Sequence, residues 1–391
     1  MHDERIVEQA IAIHTKTYGT KPTAVAYAPG RVEVLGNHTD YNEGTVLSAA
    51  INMGHCFCIS ISNKPGVRLT AGDILETTEF DPTSNERLPK NVQWANYVKG
   101  VMFYLRGQNV EIDSVDCTFL GSIPMGAGLS SSAALEVATA FAVLEYTGKT
   151  LDKKEIGILA QAAENNFAGC NCGLLDQFSS IFGVHHGLIH SDFRTLETYP
   201  VQLPDDVVFL MINPHIKHAL ADSPYNERRA SCEKAAAELD ALLPHPVKAL
   251  RDVSWEEFEA NKDKIDPEAA QRATHVVGEI TRVEKGVKLL AEGHLAEFGQ
   301  FMYDSHETSR TAFENSCKEL DLLVEAARDA GALGARLSGG GWGGSVVALV
   351  HATDAEAICA EIIATCKDHG LEPTAETIIP SAGAKIITSN A

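Results

Sequence analysis

The chain has 391 residues, more than one ordinary hydrophobic core accommodates, which predicts two domains of about 200 residues each. Its 45% hydrophobic and 22% charged residues are those of a soluble globular protein. A net charge of -21 argues against nucleic acid and anionic membrane surfaces as partners. A phosphorylated ligand would have to be held against that field by backbone dipoles, a few Arg or Lys side chains and a divalent cation.

Taken in order, residues 4–17 place Ile6, Ala10, Ile13 and His14 on one helical face, stopped by Gly19 and Pro22. Val25–Ala28 and Val32–Leu35 read as two short strands broken by Pro29-Gly30. The loop after them packs Asn37, His38, Thr39, Asp40, Tyr41 and Asn42 together. A sugar needs this mixture, because Asp accepts from hydroxyls while Asn and His both donate and accept. A capped turn, with Asn and Asp bonded to their own backbone, is the competing reading. Cys56–Ser62 is a further strand, and 70–90 is turn-rich and uninformative. A helix begins at Trp94, with Val98, Val101, Met102 and Leu105 inward; Trp94 itself reads as core or, alternatively, as a stacking platform for a base.

The strand Val110–Phe119 feeds the stretch Ile123–Leu144, which organises the chain. There Gly126 and Gly128 lead through Ser130, Ser131 and Ser132 into an apolar helix. Glycines let backbone N–H groups approach a ligand, and a helix N-terminus adds unpaired donors and a positive dipole, so the site suits a phosphate. No Gly-Lys-Ser/Thr closes the loop, so it is not the common phosphate loop, and a plain glycine turn is the alternative.

Residues 153–168 form a helical stripe with Glu164 in its last turn, either an exposed carboxylate or a metal ligand. NCGLLDQF then sets Asp176 among apolar neighbours, as a working carboxylate or half of a structural salt bridge. His185, His186 and His190 sit in a hairpin and read as structural. A turn at 204–206 and a strand Val207–Asn213 mark the domain boundary, giving domains 1–205 and 206–391. The segment 218–233 runs from a loop into a basic helix start at Arg228 and Arg229. Helices follow at 227–242, 267–292, 295–308 and 317–330, then a strand, a glycine turn at 339–344 and another strand. A helix at 354–368 and two strands within 376–389 close the chain, and these last strands are candidates to return to the N-terminal domain. Without a regular βαβ repeat, the pattern predicts an α+β fold. Nine cysteines without zinc spacing, and no leader or long apolar run, predict reduced thiols in a cytoplasmic protein.

Three segments, GRVEVLGNHTDYNEGTVL, GLSSSAAL and SGGGWGG, resemble the three motifs of the GHMP small-molecule kinases. WANYVKG, FAGCNCGLLDQF, SPYNERRASCE, HVVGEITR and SCKELDLLVEAA resemble galactokinase-family segments in the same order, from about residue 20 to 350. The resemblance implies a two-domain fold with the active site in the cleft between domains, and an ATP-dependent sugar 1-kinase using Mg2+. It implies Asp176 as the catalytic carboxylate with Arg31 beside it. Asn37, His38, Asp40, Gly173 and Tyr225 would contact the sugar. Trp94, Gly126, Ala127, Gly128, Leu129, Ser130, Ser131 and Ser132 would contact the nucleotide, with Ser132 and Glu164 on the metal. Asn37 stands where that family typically has Glu, which admits a uronic acid in place of galactose; Glu33 replaces a usual Asn, Asn165 a usual His and Trp342 a usual Phe. A sugar and ATP sensor without turnover is the rival from another class, although the serine loop, Glu164, Asp176 and Arg31 are all present.

Overall fold

The computed structural model describes residues 2–124, 126–216 and 225–387. Helix α1 (His2–Tyr18) is followed by β1 (Ala24–Leu35), β2 (Thr45–Ile61), β3 (Gly66–Ala71), β4 (Glu76–Phe80), α2 (Asn96–Gly107) and β5 (Ser114–Gly121). Next come α3 (Ser131–Thr147), α4 (Lys153–Ala163), α5 (Leu175–Phe182), β6 (Gly187–Asp192), β7 (Glu197–Gln202) and β8 (Val207–Asn213). The remainder is α6 (Tyr225–Asp240), α7 (Trp255–Asn261), α8 (Pro267–Glu292), α9 (Leu295–Thr308), α10 (Lys318–Asp329), β9 (Gly334–Ser338), β10 (Ser345–His351), α11 (Ala355–Asp368), β11 (Thr374–Ile378) and β12 (Lys385–Ile386).

Two sheets carry the fold. The larger runs β12-β1-β2-β5-β3-β4, with the β6–β7 hairpin paired to the other end of the long strand β2; the smaller runs β11-β8-β10-β9. Every pairing is antiparallel except that of β3 with β5. Strands β8 and β10 alternate faces with period two. Phe209, Met211, Val347 and Leu349 join a cluster with Val32, Leu35, Leu47 and Phe298, whereas Leu210, Ile212, Val346 and Val350 face Leu320, Leu323, Ile358 and Ile362. One apolar cluster therefore contains residues of both sheets. The smaller sheet is fixed against β1 and β2, the strands that lead to the sugar-type loop.

Several expectations require correction. Pro29-Gly30 does not end a strand, because β1 continues through both residues with a shift in register against β2. All twelve residues of β1 are buried, and a Cβ on Gly30 would collide with the Leu129 carbonyl. Glycine is required there because the loop before α3 lies directly on the strand. The turn-rich stretch 70–90 contains β4, and β3 runs into its start, ending at Ala71. Residues 90–95 form a 3-10 turn before α2, and β5 starts at Ser114 rather than at residue 110. Helix α4 stops at Ala163, and residues 164–168 make a π turn, a local form that recurs at functional sites. Within the β6–β7 hairpin, His190 lies in the strand and the turn is at 193–196. Part of the predicted loop at 218–233 lies outside the described residues; helix α6 starts at Tyr225.

Candidate active site

The loop between β5 and α3 reaches its shape through left-handed backbone at Gly126, Gly128 and Ser130. Its carbonyls are tied inward. Ser345 Oγ donates to Ala127 O at 2.7 Å, Arg31 Nη1 to Gly128 O at 2.7 Å and Arg31 N to Leu129 O at 3.1 Å. Ala127 and Leu129 are buried. With the carbonyls held by the protein, the first N–H groups of α3 remain as helix-terminal donors. Ser131 Oγ lies 2.8 Å from His55 Nε2, and burial lowers His55 to about 4, so that imidazole is neutral near pH 7. The buried Ser130 Oγ has no hydrogen-bond partner among the described residues. Trp94 packs its ring 5.7 Å from that of Phe119 at the edge of the adjacent core, and its buried Nε1 has no partner among the described residues.

Ser132 donates to Glu164 Oε1 at 2.8 Å, which brings together the two residues singled out for a metal. Glu164 is buried at the head of the π turn, so the reading as an exposed carboxylate is wrong. Its other oxygen accepts from Gln177 Nε2 at 2.8 Å and from the Cys172 thiol at 3.4 Å. Burial, and then the charge of Asp176, raise Glu164 from 4.5 to about 7.

Helix α5 starts one residue before Asp176 and so presents that carboxylate from its first turn. Arg31 grips it through Nε at 2.9 Å and Nη2 at 2.7 Å, both on Oδ1. The same guanidinium holds the Gly128 carbonyl, so one cation joins the carboxylate to the glycine loop. Gly173 lies against Asp40, where any Cβ would strike the Asp40 carboxylate. Burial, then Asp176, push Asp40 from 3.8 up to about 6.

The polar loop at 37–42 is engaged more deeply than a surface turn. Asn37 Nδ2 donates to Glu33 Oε1 at 2.9 Å and to Gly339 O at 2.8 Å, and Oδ1 accepts from Asn315 Nδ2 at 2.9 Å. Both donors of the amide are taken, leaving one lone pair for any ligand. His38 Nδ1 lies 2.9 Å from Tyr41 Oη and Nε2 lies 3.0 Å from Gly340 O. Burial lowers His38 to about 4, so the ring is neutral and both nitrogens are occupied. Its ring sits among Phe313 at 4.5 Å, Tyr225 at 5.1 Å and Trp342 at 6.2 Å, forming an aromatic wall.

Sequence reasoning passed over the groups behind this wall. Arg336, fully buried, pairs with Glu33 at 2.8 Å. Glu279 accepts from the backbone N–H of Gly36 and Asn37, both at 2.9 Å, and fixes the start of the loop. Burial opposes its charge, but Arg282, His275 and Arg336 keep it well below the usual carboxylate range. Glu136 carried a readable sign, being a lone carboxylate in an apolar helical stretch.

Comparison with known proteins places this geometry. The model for the galactokinase galactose-binding signature matches residues 12–61, that for the GHMP kinases N terminal domain 96–184, and that for the GHMP kinases C terminal domain 287–368. The galactokinase of Pasteurella multocida (strain Pm70) is 39% identical over 357 residues, covering 90% of this chain and 91% of that one. The chain belongs to the galactokinase family. A galactokinase of Haemophilus influenzae (strain PittGG) is 38% identical over 392 residues, covering 97% and 99%. The crystal structure of Lactococcus lactis galactokinase complexed with galactose superposes with a TM-score of 0.90 at 31% identity, over 98% of this chain and 100% of that one. The two-sheet α+β architecture is the GHMP-kinase fold. Among the described residues, no helix is long and apolar enough to cross a membrane.

Proposed function

We propose that the protein transfers the γ-phosphoryl group of ATP to the C1 hydroxyl of galactose, forming galactose 1-phosphate and ADP. One observation supports this most strongly. Arg31 bridges Asp176 and the carbonyl of Gly128, so an acceptor hydroxyl at Asp176 lies next to phosphates on the glycine loop. Phosphoryl transfer needs chiefly positioning and stabilisation of charge, and this arrangement supplies both.

In this reading the α3 N-terminus and the loop amides bind the phosphates. Arg31 occupies Oδ1 of Asp176, and Oδ2 faces the C1 hydroxyl, orienting it for in-line attack and accepting its proton as the bond to phosphorus forms. The Arg31 cation offsets charge as it builds between the two. Asp40 and the backbone at Gly173 hold the sugar from one side, Tyr225 and His38 line the other, and Asn37 contributes its remaining acceptor. Trp94 borders the base. Ser132 Oγ and the Glu164 carboxylate present adjacent hard oxygen donors, the donor set that Mg2+ accepts alongside phosphate oxygens. Bound there, the ion neutralises phosphate charge. Nine free cysteines fit a reducing, cytoplasmic compartment.

The test is the initial rate of ADP release with ATP and Mg2+ across galactose, galacturonate, N-acetylgalactosamine, glucose, arabinose and a blank. Preference for galactose is expected. Preference for galacturonate keeps the chemistry and moves the substrate, with Asn37 as the residue to exchange. Sugar binding without turnover replaces the kinase with a sensor.

A further inference from the structure

Gln177 is fully buried, and its amide nitrogen donates twice, to Glu164 Oε2 at 2.8 Å and to Glu136 Oε2 at 3.1 Å. Both contacts are made through the amide nitrogen, whose two hydrogens suffice for one carboxyl oxygen each. Glu136 is likewise fully buried, on α3, one helical turn after Ser132. Ser132 holds the opposite oxygen of Glu164. Gln177 is also the neighbour of Asp176 on α5. Three pieces of the site therefore meet at one amide: the helix behind the glycine loop, the π turn bearing Glu164, and the helix bearing Asp176. The mechanism above gives Glu136 and Gln177 no task. Burying both among apolar neighbours is unfavourable unless their polar atoms are used, yet Glu136 Oε1 and Gln177 Oε1 have no partners among the described residues. Packing alone is better served by Leu or Met. What the pair does achieve is to fix the Glu164 carboxyl at a set orientation before any ion arrives.

We propose that Gln177 is a positioning residue that holds the Glu164 carboxyl toward the divalent cation, and that Glu136 acts through it by locking the amide. The inference rests on the reading of Ser132 and Glu164 as the cation site. Groups that orient a metal ligand from behind are typically worth about 10–100-fold in affinity.

The experiment measures Mn2+ binding by electron paramagnetic resonance in the full-length protein with a non-hydrolysable ATP analogue, with melting curves as a check on folding. Gln177→Leu is expected to weaken Mn2+ binding about tenfold or more. It should raise the half-saturating Mg2+ concentration while leaving kcat at saturating Mg2+ within about threefold of wild type. Glu136→Leu should shift the same constant in the same direction, and Glu136→Gln, which keeps an oxygen acceptor, should restore most of it. Unchanged Mn2+ affinity in Gln177→Leu, with only a lower melting temperature, would overturn the proposal. Should that variant not fold, equal affinities in Glu136→Leu and wild type would overturn it instead. Glu164→Gln separates the two readings. Loss of Mn2+ in Glu164→Gln but not in Gln177→Leu defeats the positioning role alone, whereas retention in both defeats the metal assignment and this proposal with it.

Discussion

The two halves of the site are built by opposite means. The glycine loop is shaped by backbone: its carbonyls are tied to Arg31 and Ser345, and among the described residues a Cβ at Gly126 would meet nothing within 4 Å and Ser130 Oγ has no partner. The loop at 37–42 is shaped by side chains, with both donors of Asn37 and both nitrogens of His38 already bonded to protein. Phosphates vary little in shape, so open main-chain donors suffice for them. A sugar is told from its epimers by where hydroxyls can fit, and a rigid, internally satisfied wall does this by exclusion as much as by bonding.

The largest effect should fall where the two halves join. Asp176→Asn keeps the size of the side chain but removes the charge that Arg31 grips. Turnover should fall by roughly 10²–10⁴-fold, with ATP binding retained in a fluorescence titration. Near-normal turnover would take Asp176 out of the chemistry and leave the junction structural.

On the side proposed for the sugar, Asn37→Ala strips partners from Glu33, Gly339 and Asn315 in a site only 1% exposed. We expect a loss of about 3 kcal/mol in denaturant unfolding, since buried groups are left unpaired. Sugar binding should weaken while ATP binding holds. Equal weakening of both ligands would show that the halves are mechanically one.

How much of this was readable beforehand depends on the range of the forces involved. Helix α8 declared itself through Asp266 and Pro267 at one end and Gly293 at the other, and β8 through a run of apolar residues after a turn. The glycine loop leading into α3 was equally plain. The continuity of β1 across Pro29-Gly30 was not, because it depends on β2 and on the Leu129 carbonyl. Nor was the π turn, whose one extra residue per turn leaves no mark on the spacing of apolar side chains. The engagement of the Asn37 amide by Asn315 and Gly339 lay beyond sequence reasoning for a simple reason: they are 278 and 302 residues away. Family resemblance singled out Glu164 and Asp176, but the bonds of Glu164 to Gln177 and of Asp176 to Arg31 are set by the fold.

Acidity offers a third probe of the comparison, since Glu164 is a buried carboxyl on the side proposed above for phosphate. Its folded pKa of about 7 lies above the ordinary 4.5, so the folded protein binds this proton more tightly than the unfolded chain. The stability it lends is therefore complete below 4.5 and lost as the pH rises through about 7. The shift corresponds to at most about 3 kcal/mol. In metal-free protein, Glu164→Gln should gain stability over wild type between pH 5 and pH 8, as followed by melting temperature. Parallel profiles would mean that the carboxyl is better solvated than its burial indicates.

The smallest effect should come from Gly126→Ala. At φ +74° an alanine is strained by roughly 1–2 kcal/mol, with no clash to add. A backbone-built loop should convert that strain into a modest rise in the KM for ATP, with the KM for sugar unchanged. Gly173→Ala is its counterpart, because its Cβ would strike Asp40 and the damage should appear in the KM for sugar. The two alanines thus ask one question from opposite ends. If Gly126→Ala disturbs sugar binding as much as Gly173→Ala does, the division between a backbone half and a side-chain half fails. If each disturbs only its own ligand, the contacts that join the two halves, Arg31 with Asp176 and the turn at 339–344, do not carry strain from one to the other.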